Sequence, residues 1–290
     1  MFATILVLVR GGNLQPALQR AELLAGRNTR LTLLDLVHEP MLDSYMGNTA
    51  IYEGLRKRVV AERAEAVQQL VAASRARGLD VDGKAVWDHP LDEAIAREAR
   101  AQTADLVVIA PVAESAGLTH NEWRLVSTCP APVLVVKSPV QGTYRHIVAA
   151  VDPFHTHSKP GELDLAILSE AHDLQTRTRA TLSAVHCFVP VENFGFDMTT
   201  PVDDAPVAAR RATVEKLLRQ AGLPAAAARV ETGPTHEVIE KLHARGEADV
   251  VVMGVLARGR LKDWLIGSTA ERVLQGAPID VLAVKAPQLH

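Results

Sequence analysis

The chain has 290 residues, of which 48% are hydrophobic and 22% are charged, and its formal net charge is −3. This length fits about two globular domains, and the composition is that of an ordinary folded protein. Lysines and arginines are spread along the chain and no apolar run reaches the roughly 20 residues of a membrane helix, so we expect neither a nucleic-acid partner nor membrane insertion.

In the first half of the chain, short apolar runs alternate with helical patterns. In chain order these patterns predict strand Thr4–Val9, helix Pro16–Ala25, strand Leu31–Val37, a long helix near Glu53–Arg77, strand Val81–Trp87, helix Leu91–Gln102, strand Asp105–Ala110, helix Asn121–Ser127 and strand Val133–Lys137. The later strands are apolar throughout, which is typical of strands buried on both faces of a parallel sheet.

The second half repeats this order. Ala104–Ile109 matches Ala248–Met253, and Ile5–Arg10 matches Ile147–Asp152, each pair being separated by about half the chain. A period this long indicates duplicated domains rather than a solenoid. We therefore predict two tandem doubly wound α/β domains, residues 1–140 and 145–290. Each should hold a five-stranded, mainly parallel sheet of order 3-2-1-4-5 flanked by helices.

The N-terminus and the cysteines bear on location. Residues Met1–Val9 pass directly into an apolar run without the basic segment of a signal peptide. Cys129 and Cys187 show no spacing typical of a disulfide framework or a metal site. We therefore expect a cytoplasmic, reducing location.

A glycine-bearing loop distinguishes the second half. It follows the predicted strand that ends at Met253-Gly254 and leads into Gly267-Ser268-Thr269, where a helix begins. Unpaired backbone N–H groups and the helix dipole make such a helix start suitable for phosphate. The first half has Ala110-Pro111 instead, and proline removes an N–H donor. The second half therefore predicts a phosphate site, and the first half a degenerate copy of it.

Asp152 is predicted to lie near this loop. In the order 3-2-1-4-5, ligands bind where strands one and four diverge, and Asp152 follows strand one. Two simpler interpretations stay open. Asp152 before Pro153 suits a turn, and Ser268 with Glu271 has the spacing of a capping box, which accounts for the serine without a ligand.

These residues resemble the nucleotide motif of the universal stress protein family, which is Gly, two residues, Gly, nine residues, Gly and then Ser or Thr. Gly254, Ala257, Gly267 and Ser268 hold its positions here, with alanine in place of the second glycine. The resemblance covers essentially the whole chain and is to the tandem-domain type.

The resemblance implies that ATP or another adenine nucleotide binds in the C-terminal domain. Asp152 would face the adenine or ribose, the Cys187 backbone would contact the base, and the residues from Met253 and Gly254 to Thr269 would hold the phosphates. The sequence offers no evident general base near a γ-phosphate, so any hydrolysis should be slow. The resemblance also implies that the edge strands Val133–Lys137 and Val281–Lys285 pair in an intramolecular pseudo-dimer, and two chains could form a homodimer.

Ala257 leaves other ligands open. Its methyl group obstructs close approach to the backbone and disfavours positive φ by roughly 1 kcal/mol. One alternative is a lipid-like or other small metabolite in the C-terminal domain, with residues Phe188–Pro206 as a loop or a lid. Another is a protein-interaction scaffold. His155 and His157 could chelate a metal ion, but no third ligand is identifiable, so metal binding stays undetermined.

Overall fold

A parallel β-sheet organises each half of the chain, which divides into unit 1 (Met1–Thr143) and unit 2 (Tyr144–His290). No helix among the described residues is both long enough and apolar enough to cross a membrane. The computed structural model describes residues 2–10, 15–45, 49–111, 117–154, 161–189, 205–255 and 268–286.

Unit 1 alternates strands with helices. Its strands are all paired in parallel in the order β3-β2-β1-β4-β5. The elements are β1 (Thr4–Leu8), α1 (Pro16–Leu24), β2 (Arg30–Val37), a 3-10 helix (Pro40–Tyr45), α2 (Thr49–Ala76), β3 (Asp80–Trp87), α3 (Leu91–Ala101), β4 (Leu106–Ile109), α4 (His120–Thr128) and β5 (Val133–Val135).

Unit 2 has the same arrangement. Its strands are also paired in parallel, in the order β8-β7-β6-β9-β10. The elements are β6 (His146–Ala150), α5 (Glu162–Thr178), β7 (Thr181–Phe188), α6 (Ala205–Gln220), a 3-10 helix (Ala225–Ala227), β8 (Ala228–Thr232), α7 (Thr235–Ala244), β9 (Val250–Gly254), α8 (Ser268–Gly276) and β10 (Asp280–Val284).

The predicted fold class is confirmed, and within each unit the strands follow the order 3-2-1-4-5. The physical basis is visible in β4 and in residues Val250–Met253 of β9, where every side chain is buried. A strand at the centre of a parallel sheet has helices on both faces, so both of its faces must be apolar. Helix α2 begins at Thr49, earlier than the predicted start near Glu53, because helix starts are weakly specified by periodicity alone.

Parallel pairing also fixes the position of the functional residues. The carboxyl ends of all five strands in a unit lie at one edge of its sheet, and the following helices begin there. In unit 2 this edge gathers Asp152 after β6, Phe188 at the end of β7, Gly254 at the end of β9, and the starts of α7 and α8.

Candidate functional site

A cavity of about 310 Å³ lies at the carboxyl edge of the unit 2 sheet, and we call it the unit 2 cavity. Its volume is at the small end of the range for ligand pockets, roughly 300–1,000 Å³. The end of β7, one residue of α6 and the first turns of α7 and α8 form its walls. Its described lining residues are His186, Cys187, Phe188, Val189, Arg210, Gly233, Pro234, Thr235, His236, Ser268, Thr269 and Arg272.

The lining of the unit 2 cavity is basic. Arg210 and Arg272 bring two permanent positive charges, and His186 and His236 add imidazoles. No aspartate or glutamate occurs among the described lining residues. A wall with cations and without carboxylates favours an anionic ligand.

Two helix starts contribute polar groups to the same wall. Thr235 is the first residue of α7, whose N-cap residue Pro234 makes no side-chain cap hydrogen bond. Ser268 and Thr269 open α8. The first N–H groups of a helix lack partners within the helix, and its dipole is positive at this end. Both helices therefore present donors and partial positive charge at the cavity wall.

The Arg210 guanidinium is held by three side chains. Its Cζ lies 4.9 Å from the centre of the Phe154 ring and 4.4 Å from that of Phe188. Its Nη1 lies 3.1 Å from Nε2 of His186, which is 2% exposed. Because arginine only donates, Nε2 accepts, and a neutral imidazole then carries its proton on Nδ1, 3.3 Å from the Val151 carbonyl oxygen.

Asp152 lies beside this cluster rather than in the described cavity wall. Its Oδ1 is 3.9 Å from Nδ1 of His186. Its backbone N–H donates to Oδ1 of Asp164 at 3.0 Å, and Asp164 is itself buried. A buried carboxylate on α5 thus fixes the chain where it leaves β6.

The Cys187 thiol lines the cavity and hydrogen-bonds with Thr235. Burial raises the pKa of this thiol to about 11; the hydrogen bond with Thr235 opposes the rise, and the Glu231 carboxylate adds to it. The thiol is therefore protonated at neutral pH and is a poor nucleophile there.

Gly254 has a packing reason to be glycine. A Cβ at this position would lie 2.6 Å from Leu163 Cδ2 and 3.3 Å from Ile167 Cδ1, both on α5. The close approach of α5 to β9 thus accounts for the missing side chain, and the role of Gly254 in holding phosphates stays a prediction. Met253, one residue earlier, is buried within β9.

Of the predicted site residues, the structure brings together Cys187, Ser268 and Thr269 in one cavity wall. Ala257 and Gly267 lie outside the described residues, as do His155 and His157. Within the part of the chain that the structure describes, no three His, Cys, Asp or Glu side chains are grouped to hold a metal ion.

Sequence reasoning missed the cavity residues on α6 and α7. Thr235 follows Gly233-Pro234 directly after strand three, and the rule that ligands bind at the carboxyl edge could have found it. Arg210 has no such signal. Helix α6 also carries Arg211 and Arg219, and only packing decides which arginine reaches the cavity.

At the same edge of unit 1, two side chains of the chain itself form an ion pair. Arg10 follows β1, and its Nη2 lies 3.0 Å from Oε1 of Glu122 on α4, which is 0% exposed. The other oxygen, Oε2, accepts from the Thr119 backbone N–H at 2.8 Å and from its hydroxyl at 3.0 Å. A carboxylate of the chain itself therefore satisfies the N-terminus of α4.

Comparisons with known proteins agree with this division into two similar units. The chain is 27% identical over 290 residues to universal stress protein E of Photorhabdus laumondii, spanning 93% of this chain and 90% of that protein. It is 27% identical over 295 residues to universal stress protein E of Escherichia coli K12, spanning 94% and 90%.

Solved structures give the same result. A universal stress protein from Pseudomonas aeruginosa UCBPP-PA14 superimposes with a TM-score of 0.72 at 26% identity, covering 98% of this chain and 93% of that one. The model of the family described as "Universal stress protein family" matches residues 1–137 and again residues 143–285. Both halves are thus matched in turn, and the chain belongs to the universal stress protein family.

Proposed function

We propose that this universal stress protein acts in a stress response by binding an adenine nucleotide, ATP first of all, in the unit 2 cavity. The observation that carries the proposal is the cavity wall, in which Ser268, Thr269 and two arginines occur without a described carboxylate. The resemblance to the family suggests the adenine, and the charge of the wall supports the phosphates. A purely apolar ligand would cover the half-buried Arg210 guanidinium without offering it a counter-charge, which is costly.

Each part of the wall of the unit 2 cavity has a role in this proposal. Ser268 and Thr269 donate to phosphate oxygens together with the first N–H groups of α8, and Arg272 adds charge one turn later. The Cys187 backbone borders the base. The Cys187 thiol does no chemistry, since its raised pKa keeps it protonated.

Unit 1 is the degenerate partner in this proposal. Glu122 neutralises the start of α4, and Arg10 neutralises Glu122 in turn. A phosphate at that position would have to displace a buried, hydrogen-bonded carboxylate, which is costly.

The variant Ser268→Glu tests the proposal by isothermal titration with ATP. Ser268 is exposed at the first position of α8, where a glutamate suits the helix dipole and should leave the fold intact. Its carboxylate would repel phosphate, so we expect ATP to bind at least about tenfold more weakly, or 1.4 kcal/mol. His120→Glu is the matched control, because His120 is the exposed first residue of α4 in unit 1.

The control should bind ATP like the wild type. An absence of ATP binding by the wild type, or equal affinity in Ser268→Glu, would contradict the proposal. Native mass spectrometry of the protein purified from cells adds a second measurement. ATP or ADP retained by the protein supports the proposal, and a retained acyl species overturns it.

A further inference from the structure

We infer that Arg210 forms a second anion subsite, at the β7 end of the unit 2 cavity, which takes a phosphate group apart from the contacts at α8. The phosphate group could belong to a bound nucleotide or to free inorganic phosphate. The inference rests on the proposed function only in that both concern the same cavity.

The first ground is the charge balance of Arg210. The side chain is half-buried, and among the residues that the structure describes no carboxylate lies within 4.0 Å of its guanidinium. By contrast, another half-buried arginine of unit 2 has two carboxylate partners. Arg229 contacts Glu231 at 2.5 Å and Glu247 at 2.6 Å. A half-buried cation beside a cavity without carboxylates is stabilised when an anion enters.

The second ground is the fixed geometry of the guanidinium. Its flanks lie against the Phe154 and Phe188 rings, and His186 holds Nη1. A guanidinium has five N–H donors, and His186 is its hydrogen-bond partner within the described part of the chain. The group is thus held in place with donors left for two oxygens of a phosphate, so binding would cost little side-chain entropy.

The third ground is the surrounding wall. Arg210 shares the unit 2 cavity with the hydroxyl of Thr235 and with the start of α7, which has no side-chain cap. Because Arg210 occupies the Nε2 lone pair of His186, that imidazole brings no second positive charge, and Arg210 is the permanent cation that the described wall has at this end. An anion that pairs with Arg210 would therefore also meet a hydroxyl and a positive helix end.

The test compares wild type, Arg210→Gln and Arg211→Gln by titration with ATP, adenosine and inorganic phosphate. Arg211 is the matched control, because it is the next residue of α6, its side chain is exposed and it pairs with Glu215 at 3.5 Å. We expect Arg210→Gln to weaken ATP and phosphate at least about tenfold and to leave adenosine unchanged. Arg211→Gln should match the wild type for all three.

The variant Arg210→Lys is a control for a change in the fold caused by replacing Arg210. Lysine keeps the charge but loses the planar fork, so phosphate affinity should fall between those of the wild type and Arg210→Gln. All variants are first compared by thermal unfolding. If Arg210→Gln unfolds at a lower temperature than the wild type, Arg210→Lys tests the subsite in its place. Loss of adenosine binding together with ATP binding in Arg210→Lys would overturn the subsite.

The remaining outcomes separate the two proposals. ATP affinity that does not depend on Arg210 overturns the subsite and leaves the proposed function standing. Phosphate that binds through Arg210 in a protein that does not bind ATP supports the subsite and identifies free phosphate as its source, while the proposed function fails. Binding of neither ATP nor phosphate by the wild type overturns both.

Discussion

The Arg10 guanidinium contacts the Glu122 carboxylate near the start of α4, with 3.0 Å between Nη2 and Oε1. In unit 2 the corresponding strand end carries Asp152, and the third residue of α8 is Ala270, where α4 has Glu122. Unit 2 therefore lacks both members of the Arg10–Glu122 pair at the matching positions. The two units thus differ in the charge after their first strand and at the third residue of the helix that follows their fourth strand.

The Arg10–Glu122 pair should stabilise unit 1. In Glu122→Ala the Thr119 backbone N–H loses its acceptor and Arg10 loses its partner, while Arg10 remains partly hydrated. We expect the free energy of unfolding to fall by about 2 kcal/mol, because the variant loses both a helix cap and a partly buried ion pair. Urea denaturation of the variant against the wild type measures it.

The exposed pair Arg58–Glu62, an i,i+4 pair with an N–O distance of 3.0 Å, supplies the control. Glu62→Ala should change the free energy of unfolding by less than about 0.5 kcal/mol. The double variant Arg10→Ala/Glu122→Ala should lose less than the sum of the two single variants. Equal losses in Glu122→Ala and Glu62→Ala would show that burial of Glu122 adds nothing.

The strands were predictable because their buried apolar residues follow one another directly in the sequence. Strand β4 and most of β9 are unbroken apolar runs, and only central strands of a parallel sheet need them. The order of the strands followed from the duplication and from the alternation with helices. Ser268 and Thr269 were predictable for the same reason, since a strand, a loop and a helix start follow one another directly in sequence.

Arg210 and Gly254 show where sequence reasoning stops. Which arginine of α6 reaches the cavity depends on how that helix packs against β7 and β8, which a local pattern does not contain. Gly254 fits both a ligand motif and a tight helix–strand contact, and only the position of Leu163 shows that packing is by itself a sufficient reason for the glycine. Residues that act through tertiary contacts are therefore the ones that the sequence leaves undetermined.

Gly254→Ala should destabilise unit 2 through its core. The new methyl group would lie 2.6 Å from Leu163 Cδ2, so Leu163 must shift within a closely packed contact. We expect a loss of about 1–2 kcal/mol in the free energy of unfolding, the usual cost of overpacking. Urea denaturation measures the loss, and Leu163→Val in the same chain should recover part of it.

Gly54→Ala is the matched control for this substitution. Gly54 lies within α2, and a Cβ there would meet nothing within 4 Å. Alanine is favoured over glycine in a helix, so this variant should gain up to about 1 kcal/mol. A neutral Gly254→Ala variant with normal unfolding but impaired ATP binding would instead indicate that the glycine serves the ligand.

The Cys187 thiol should react with iodoacetamide only at high pH. Its pKa of about 11 means that the thiolate, which is the reactive form, increases about tenfold per pH unit from pH 8 to pH 10. Mass spectrometry of the native protein after timed alkylation gives the rate. Cys129 is 0% exposed and serves as an internal control, since it should become labelled only when unit 1 unfolds.

The raised pKa of Cys187 also determines how its contribution to the stability of the fold changes with pH. A thiol whose pKa is raised in the folded state favours folding below its unfolded pKa, near 8.5, and that contribution is lost between about pH 8.5 and 11 as the unfolded chain releases its proton first. Cys187→Ala should therefore show a shallower loss of unfolding free energy over this range than the wild type. An alkylation rate that levels off near pH 9, as for an exposed thiol, would contradict a pKa of Cys187 raised by burial. ATP bound in the unit 2 cavity should slow the alkylation of Cys187.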